Sequence, residues 1–167
     1  NNQEITIGKV DSSAMVLNLK TGKKNKMISD AGKALFCQDY SKDGKWLAVA
    51  GGDRRIRIYS TDNYELKHTL VGHQALVFDL QFSDDPNILV SGSWDNTCRL
   101  WRLPSGKAGP ILHGHIDGVS RLAVTPVGDW LVSGSWDHTC RLWRLPSGEA
   151  GPILRGHTKE VSSLVIT

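Results

Sequence analysis

The sequence predicts an all-β chain assembled from repeated units of four short antiparallel strands. Three observations carry this. The segment Val90–Leu112 is written again at Val132–Leu154 with only two differences in 23 positions, Asn96/His138 and Lys107/Glu149, an offset of 42 residues. Apolar residues alternate or run together over four to six positions and never recur at helical spacing. Clusters of Gly, Pro, Asp and Asn punctuate the chain about every ten residues, which suits tight turns between short strands.

The 42-residue period extends beyond the near-verbatim pair. Stepping back from Trp143 and Trp101 reaches Tyr59 and Leu17, each inside an alternating apolar stretch, and Asp137, Asp95, Asp53 and Asp11 stand six residues before them. Gly72-His73, Gly114-His115 and Gly156-His157 keep the same spacing. A period of this length marks an array of stacked units, each burying its apolar face on its neighbour. The boundaries expected are 1–28, 29–70, 71–112 and 113–154, with 155–167 a closing strand. In the third unit the strands fall near Leu76–Phe82, Ile88–Gly92, Thr97–Leu103 and Ala108–Leu112, and the other units follow by register.

Composition narrows the class. With 40% hydrophobic and 22% charged residues the chain has the balance of a soluble globular domain. Its longest apolar runs, such as Trp46–Ala50, fall far short of the roughly 18–20 residues that cross a bilayer, so no membrane partner is expected. A formal charge of +3 is too mild for a nucleic-acid-binding face. The basic residues that do gather, Lys20, Lys23, Lys24 and Lys26, read as a solvated hairpin tip. Cys37, Cys98 and Cys140 are odd in number, and two share one repeat position, so they read as small apolar residues rather than a disulfide. An intracellular, cytoplasmic setting follows.

Four strands per unit of about 42 residues, Gly-His before the first strand and Trp-Asp at the second turn together resemble the WD-repeat β-propeller family. The likeness is strongest in GHQALVFDLQFSDDPNILVSGSWDNTCRLW and GHIDGVSRLAVTPVGDWLVSGSWDHTCRLW. It is weaker in ALFCQDYSKDGKWLAVAGGDRRIRIY, where Ala31 stands in place of His and Val49 in place of Ser, and weakest in the opening EITIGKVDSSAMVLNL. The resemblance implies a propeller of four-stranded antiparallel blades, about four to this chain, either a half-propeller or a propeller fragment. Ile5–Val10 aligns with a second strand and Val161–Thr167 with a first, sixteen strands in all. In this family a terminal first strand completes the blade begun at the other end, which hides both sheet edges. Since propellers of this type usually have seven or eight blades, 161–167 is expected to clasp 5–10 of a second copy, giving a homodimer.

His73, Ser91, Asp95 and Trp101, and again His115, Ser133, Asp137 and Trp143, superficially suggest a hydrolase. A catalytic triad has no reason to recur once per unit, and no Gly-x-Ser-x-Gly elbow is present. The resemblance supplies a structural role instead: indole N–H to serine hydroxyl, hydroxyl to imidazole, imidazole to carboxylate. His113 and His115 have no third metal ligand nearby in the pattern. No enzyme activity, metal or cofactor is therefore expected.

The residues left for recognition are Trp94 and Trp136, large aromatics in tight turns that their own hairpins cannot bury. The family resemblance extends that face to residues three and five past each Gly-His: Leu76 and Phe78, Gly118 and Ser120, Glu160 and Ser162. The second unit contributes Phe36. Phe36, Leu76, Phe78 and Trp94 should lie near one another as an apolar, aromatic patch of the kind found at interfaces. The function expected is a non-catalytic scaffold for a peptide or protein. The alternative is a recombined, designed or truncated half-propeller whose main interaction is self-assembly into a closed two-chain ring of about eight blades.

Overall fold

The structure, a computed structural model, describes residues 4–8, 14–18, 21, 23–28 and 34–166. Fifteen strands are present among them. β1 (Glu4–Gly8), β2 (Ala14–Asn18) and β3 (Lys24–Ile28) form a three-stranded sheet. Three four-stranded sheets follow: β4 (Leu35–Tyr40), β5 (Trp46–Gly51), β6 (Arg55–Ser60) and β7 (Leu66–Val71); β8 (Val77–Phe82), β9 (Ile88–Ser93), β10 (Cys98–Arg102) and β11 (Lys107–Leu112); β12 (Val119–Val124), β13 (Trp130–Ser135), β14 (Cys140–Arg144) and β15 (Ala150–Leu154). Every sheet is an antiparallel meander, each strand pairing with its sequence neighbour. These are the blades of a β-propeller, here numbered one to four. Their inner strands β4, β8 and β12 pack side by side and their outer strands β7, β11 and β15 form the rim.

The core lies between blades. Ala48, Ile56, Ile58 and Leu70 of blade two meet Leu80, Phe82, Leu89 and Trp101 of blade three. Ile88, Val90 and Leu100 of blade three meet Val119, Leu122, Leu131 and Trp143 of blade four. Both faces of a middle strand are thus covered, and every residue of β9, ILVSGS, is buried. Each large aliphatic side chain so enclosed contributes about 1.5–3 kcal/mol. Gly92 is small for a packing reason, since a Cβ there would stand 2.8 Å from Val119 Cγ1 of the next blade. The outer strands are more exposed, and Pro110 and Pro152 sit within β11 and β15, where a missing N–H is tolerated and further pairing is discouraged.

Half-buried carboxylates also tie the inner strands together. Asp39 Oδ2 accepts hydrogen bonds from Phe82 N (2.7 Å) and Gln81 Nε2 (3.2 Å), and Asp79 Oδ2 accepts one from Leu122 N (2.8 Å). Lys42 and Asp84 form an ion pair between the same two blades as the Asp39 bonds.

One expected strand is absent. Residues 161–166 form no strand, because among the described residues nothing ladders with them on either side. Val161 is nevertheless buried. It donates its N–H to Ser135 O (3.1 Å), and its side chain and that of Leu164 lie against Gly134 as those of Val119 and Leu122 lie against Gly92.

Candidate functional site

In blades two, three and four the inner strand begins with a β-bulge. The ladder skips from Leu35 to Cys37, from Val77 to Asp79 and from Val119 to Arg121. The residues left unpaired are Phe36, Phe78 and Ser120, and a bulge re-aims the side chain it leaves over. The bulges place Phe36 and Phe78 in a stack with ring centroids 5.9 Å apart and an interplanar angle of 27°.

The turns between second and third strands supply the other rings. Each turn is pinned to the loop before its own inner strand: Trp94 N donates to Leu76 O (3.0 Å) and Trp136 N to Gly118 O (3.0 Å). Phe78 meets Trp94 edge-on at 5.4 Å and Trp136 at 6.0 Å, and the two indoles meet each other at 5.1 Å and 80°. Four rings from three blades therefore form one cluster at this end of the inner strands. Phe36 is 52% exposed and Trp94 42% exposed, so the cluster faces solvent.

The expected neighbours divide. Leu76 is partly buried and meets Trp94 through its backbone carbonyl. Trp136, expected on the face but not in the patch, belongs to the cluster. Glu160 and Ser162 are exposed on the following loop. Ser120 is only 4% exposed, a correction to its place on an open face: its hydroxyl donates to Gly134 O (3.1 Å) and to Val161 O, because Val161 covers this bulge. At the opposite end of the inner strands a cavity of about 290 Å³, lined by Asp39, Tyr40, Phe82 and Thr125, contains none of the expected residues.

Beside the aromatic cluster the two polar tetrads hold the turns in shape. Trp101 Nε1–H donates to Ser91 Oγ (2.9 Å), Ser91 Oγ–H to His73 Nε2 (2.7 Å) and His73 Nδ1–H to Asp95 Oδ2 (2.7 Å). In blade four Trp143, Ser133, His115 and Asp137 repeat the chain at 2.8, 2.9 and 2.7 Å. The proton positions follow from the partners. An ionised carboxylate can only accept, so Nδ1 carries hydrogen, and the indole N–H occupies a serine lone pair, so the hydroxyl hydrogen turns to Nε2. Both serine side chains are buried and both imidazoles enclosed, so the hydroxyls are committed to the fold.

Electrostatics agrees with a neutral imidazole. Burial lowers the His115 pKa, against the raising influence of Asp137. Burial opposes ionisation of Asp137 too, yet hydrogen bonds from Thr139, His115 and the Ile116 N–H outweigh it and hold the carboxyl at about 2. Asp95 is held well below its ordinary value in the same way, with burial outweighed by bonds from His73, Thr97 and the Gln74 N–H. In blade two, where Val49 and Tyr59 replace serine and tryptophan, Asp53 takes a guanidinium instead, Arg57 Nη2 at 2.7 Å. Asp53 and Arg57 both recur at the 42-residue period, as Asp95 with Arg99 and Asp137 with Arg141, so the period places the two residues but not their pairing; it gives no signal for Asp39 and Asp79, whose positions in their strands differ by two residues.

Comparison with known proteins agrees with this geometry. The model of the family described as WD domain, G-beta repeat, matches residues 23–60, 64–102 and 106–144. Each match begins just before the outer strand of one blade and ends in the third strand of the next, so the sequence repeat and the blade are one strand out of phase. The chain is 33% identical over 48% of its length to eukaryotic translation initiation factor 3 subunit I of Neurospora crassa. It is 31% identical over 61% of its length to nuclear distribution protein nudF of Aspergillus flavus, and 28% over 50% to the transcriptional corepressor LEUNIG_HOMOLOG of Arabidopsis thaliana. It spans 23%, 23% and 12% of those three relatives, a small part of each.

Proposed function

Because the chain belongs to the WD domain, G-beta repeat family, we propose that it is a non-catalytic scaffold that holds a peptide or protein on the face formed by Phe36, Phe78, Trp94 and Trp136. One observation carries the reading: four aromatic rings from separate elements converge on a single solvent-facing cluster. Aromatic anchors of this size supply most of the energy at protein interfaces, since they bury large area at little entropic cost. Enclosure of Ser91 and Ser133 supports a role without catalysis. The three cysteines are free and buried, which suits a reducing, cytoplasmic setting. The test is affinity capture with the chain and with its Trp94→Ala/Trp136→Ala variant in parallel, followed by calorimetry on the protein identified. The double variant should keep its fold and bind about tenfold more weakly or worse. Unchanged affinity would refute the reading.

A second reading is favoured by the seating of Val161 and Leu164. These residues repeat the packing of an inner strand, while the outward edge of β1 is unpaired among the described residues. Residues 161–166 of one copy would complete the blade of β1–β3 in another, closing a ring of about eight blades. Light scattering after size exclusion should then give about twice 18.4 kDa. A compact monomer would refute this assembly.

A further inference from the structure

We infer that Gly118 is a positioning residue for the aromatic cluster, setting the pose of Trp94 by having no side chain. This deepens the docking reading and rests on it. The indole of Trp94 lies on the backbone of Gly118, in the loop that enters blade four: a Cβ on Gly118 would stand 2.9 Å from Nε1, 3.3 Å from Cγ and inside van der Waals contact of Cδ1. No other heavy atom comes closer to that Cβ position than this ring. Held there, the indole meets Trp136 edge-on across the blade junction and Phe78 edge-on within its own blade. Any larger residue would push the ring out, and since Trp94 is 42% exposed it has solvent to move into.

The repeat supports the same logic. The turn position and the matching loop position of the next blade are Trp94 and Gly118 at one junction, and Gly52 and Leu76 at the junction before it. Large and small are exchanged between the two positions. At the third junction Trp136 is followed by Glu160, which is exposed, and Trp136 instead turns back toward Trp94. The continuous four-ring surface therefore depends on glycine at 118, and a partner that docks on it reads Gly118 without touching it.

The test is spectroscopic first. Two indoles packed edge to face couple their transitions and give an exciton couplet in circular dichroism. Trp94→Phe and Trp136→Phe should each remove it, and Gly118→Ala should remove it while both indoles remain. A folded Gly118→Ala protein that keeps the couplet overturns the proposal. If Gly118→Ala does not fold, the change is made in the Trp94→Ala background, where no ring atom is left to meet the methyl group. Folding restored there supports the proposal, and failure there too shows that glycine answers to the backbone and overturns it. With the partner identified by capture, Gly118→Ala should weaken binding as much as Trp94→Ala. A lost couplet with unchanged affinity would overturn the cluster as the docking surface while leaving the control of Trp94 intact.

Discussion

Trp94 and Trp136 stand at the same place in neighbouring blades, 42 residues apart, and their rings meet edge to face at 5.1 Å. Such a contact contributes about 0.5–1.5 kcal/mol, and Trp94 keeps two-fifths of its surface in water. Trp94→Ala should therefore lower the unfolding free energy by only about 1 kcal/mol. Trp101, enclosed between blades two and three, should cost about 3–5 kcal/mol on replacement by Ala. Urea denaturation of the two variants checks the contrast, and equal losses would make Trp94 a core residue.

His115 joins Ser133 to Asp137, and Ser133 in turn accepts the indole N–H of Trp143. His115→Ala leaves two of these groups short of a partner, at roughly 1–3 kcal/mol each. Ser133→Ala breaks the same chain one link nearer Trp143. The double variant should consequently lose much less than the sum of the single losses, since one network is broken twice. A double-mutant cycle from denaturation midpoints measures the coupling, and additive losses would dissolve the network into independent bonds.

These two sites show what the sequence makes legible. Verbatim repetition of Ser91, Asp95 and Trp101 as Ser133, Asp137 and Trp143 exposes the tetrads, because a network built once per blade must recur at the period. The blades are legible for the same reason. Position within the repeat assigns Phe36 and Phe78 to this face, but their convergence depends on a bulge, a single extra residue that no alternation pattern records. The burial of Ser120 depends on Val161, 41 residues further on. Arg57 recurs at the period as Arg99 and Arg141, yet it meets Asp53 in the blade where Val49 and Ala31 stand in place of serine and histidine, so the period shows the residues and not their pairing.

Acid should loosen the fold in two stages. The folded pKa of His115 is lowered, so its contribution is complete above the unfolded value near 6.5 and is lost as pH falls through the lowered folded value. Asp137, held at about 2, contributes stability above the ordinary carboxylate range and loses it as pH falls from about 4 toward 2. The span corresponds to roughly 2 kcal/mol. Melting temperature should fall below pH 6.5 and again below pH 4. In Asp137→Asn the second fall should shrink, and an unaltered acid limb would remove Asp137 as its source.

Asp79 titrates in the opposite sense. Burial raises its pKa, with the N–H groups of Leu122 and Leu80 opposing, so the folded state holds its proton more tightly than the unfolded chain. Stability from this group is complete below the unfolded pKa and is lost as pH rises through the folded one. Asp79→Asn keeps an acceptor for the Leu122 N–H and carries no charge, so it should match the parent near pH 3 and equal or exceed it at pH 7. Asp79→Ala leaves that N–H without its bond across the blade junction, 2.8 Å in the parent, and should cost about 1–3 kcal/mol at either pH. Denaturation of the three proteins at both pH values separates charge from hydrogen bond. If Asn proves as damaging as Ala at pH 7, the ionised carboxylate is itself the tie between blades three and four.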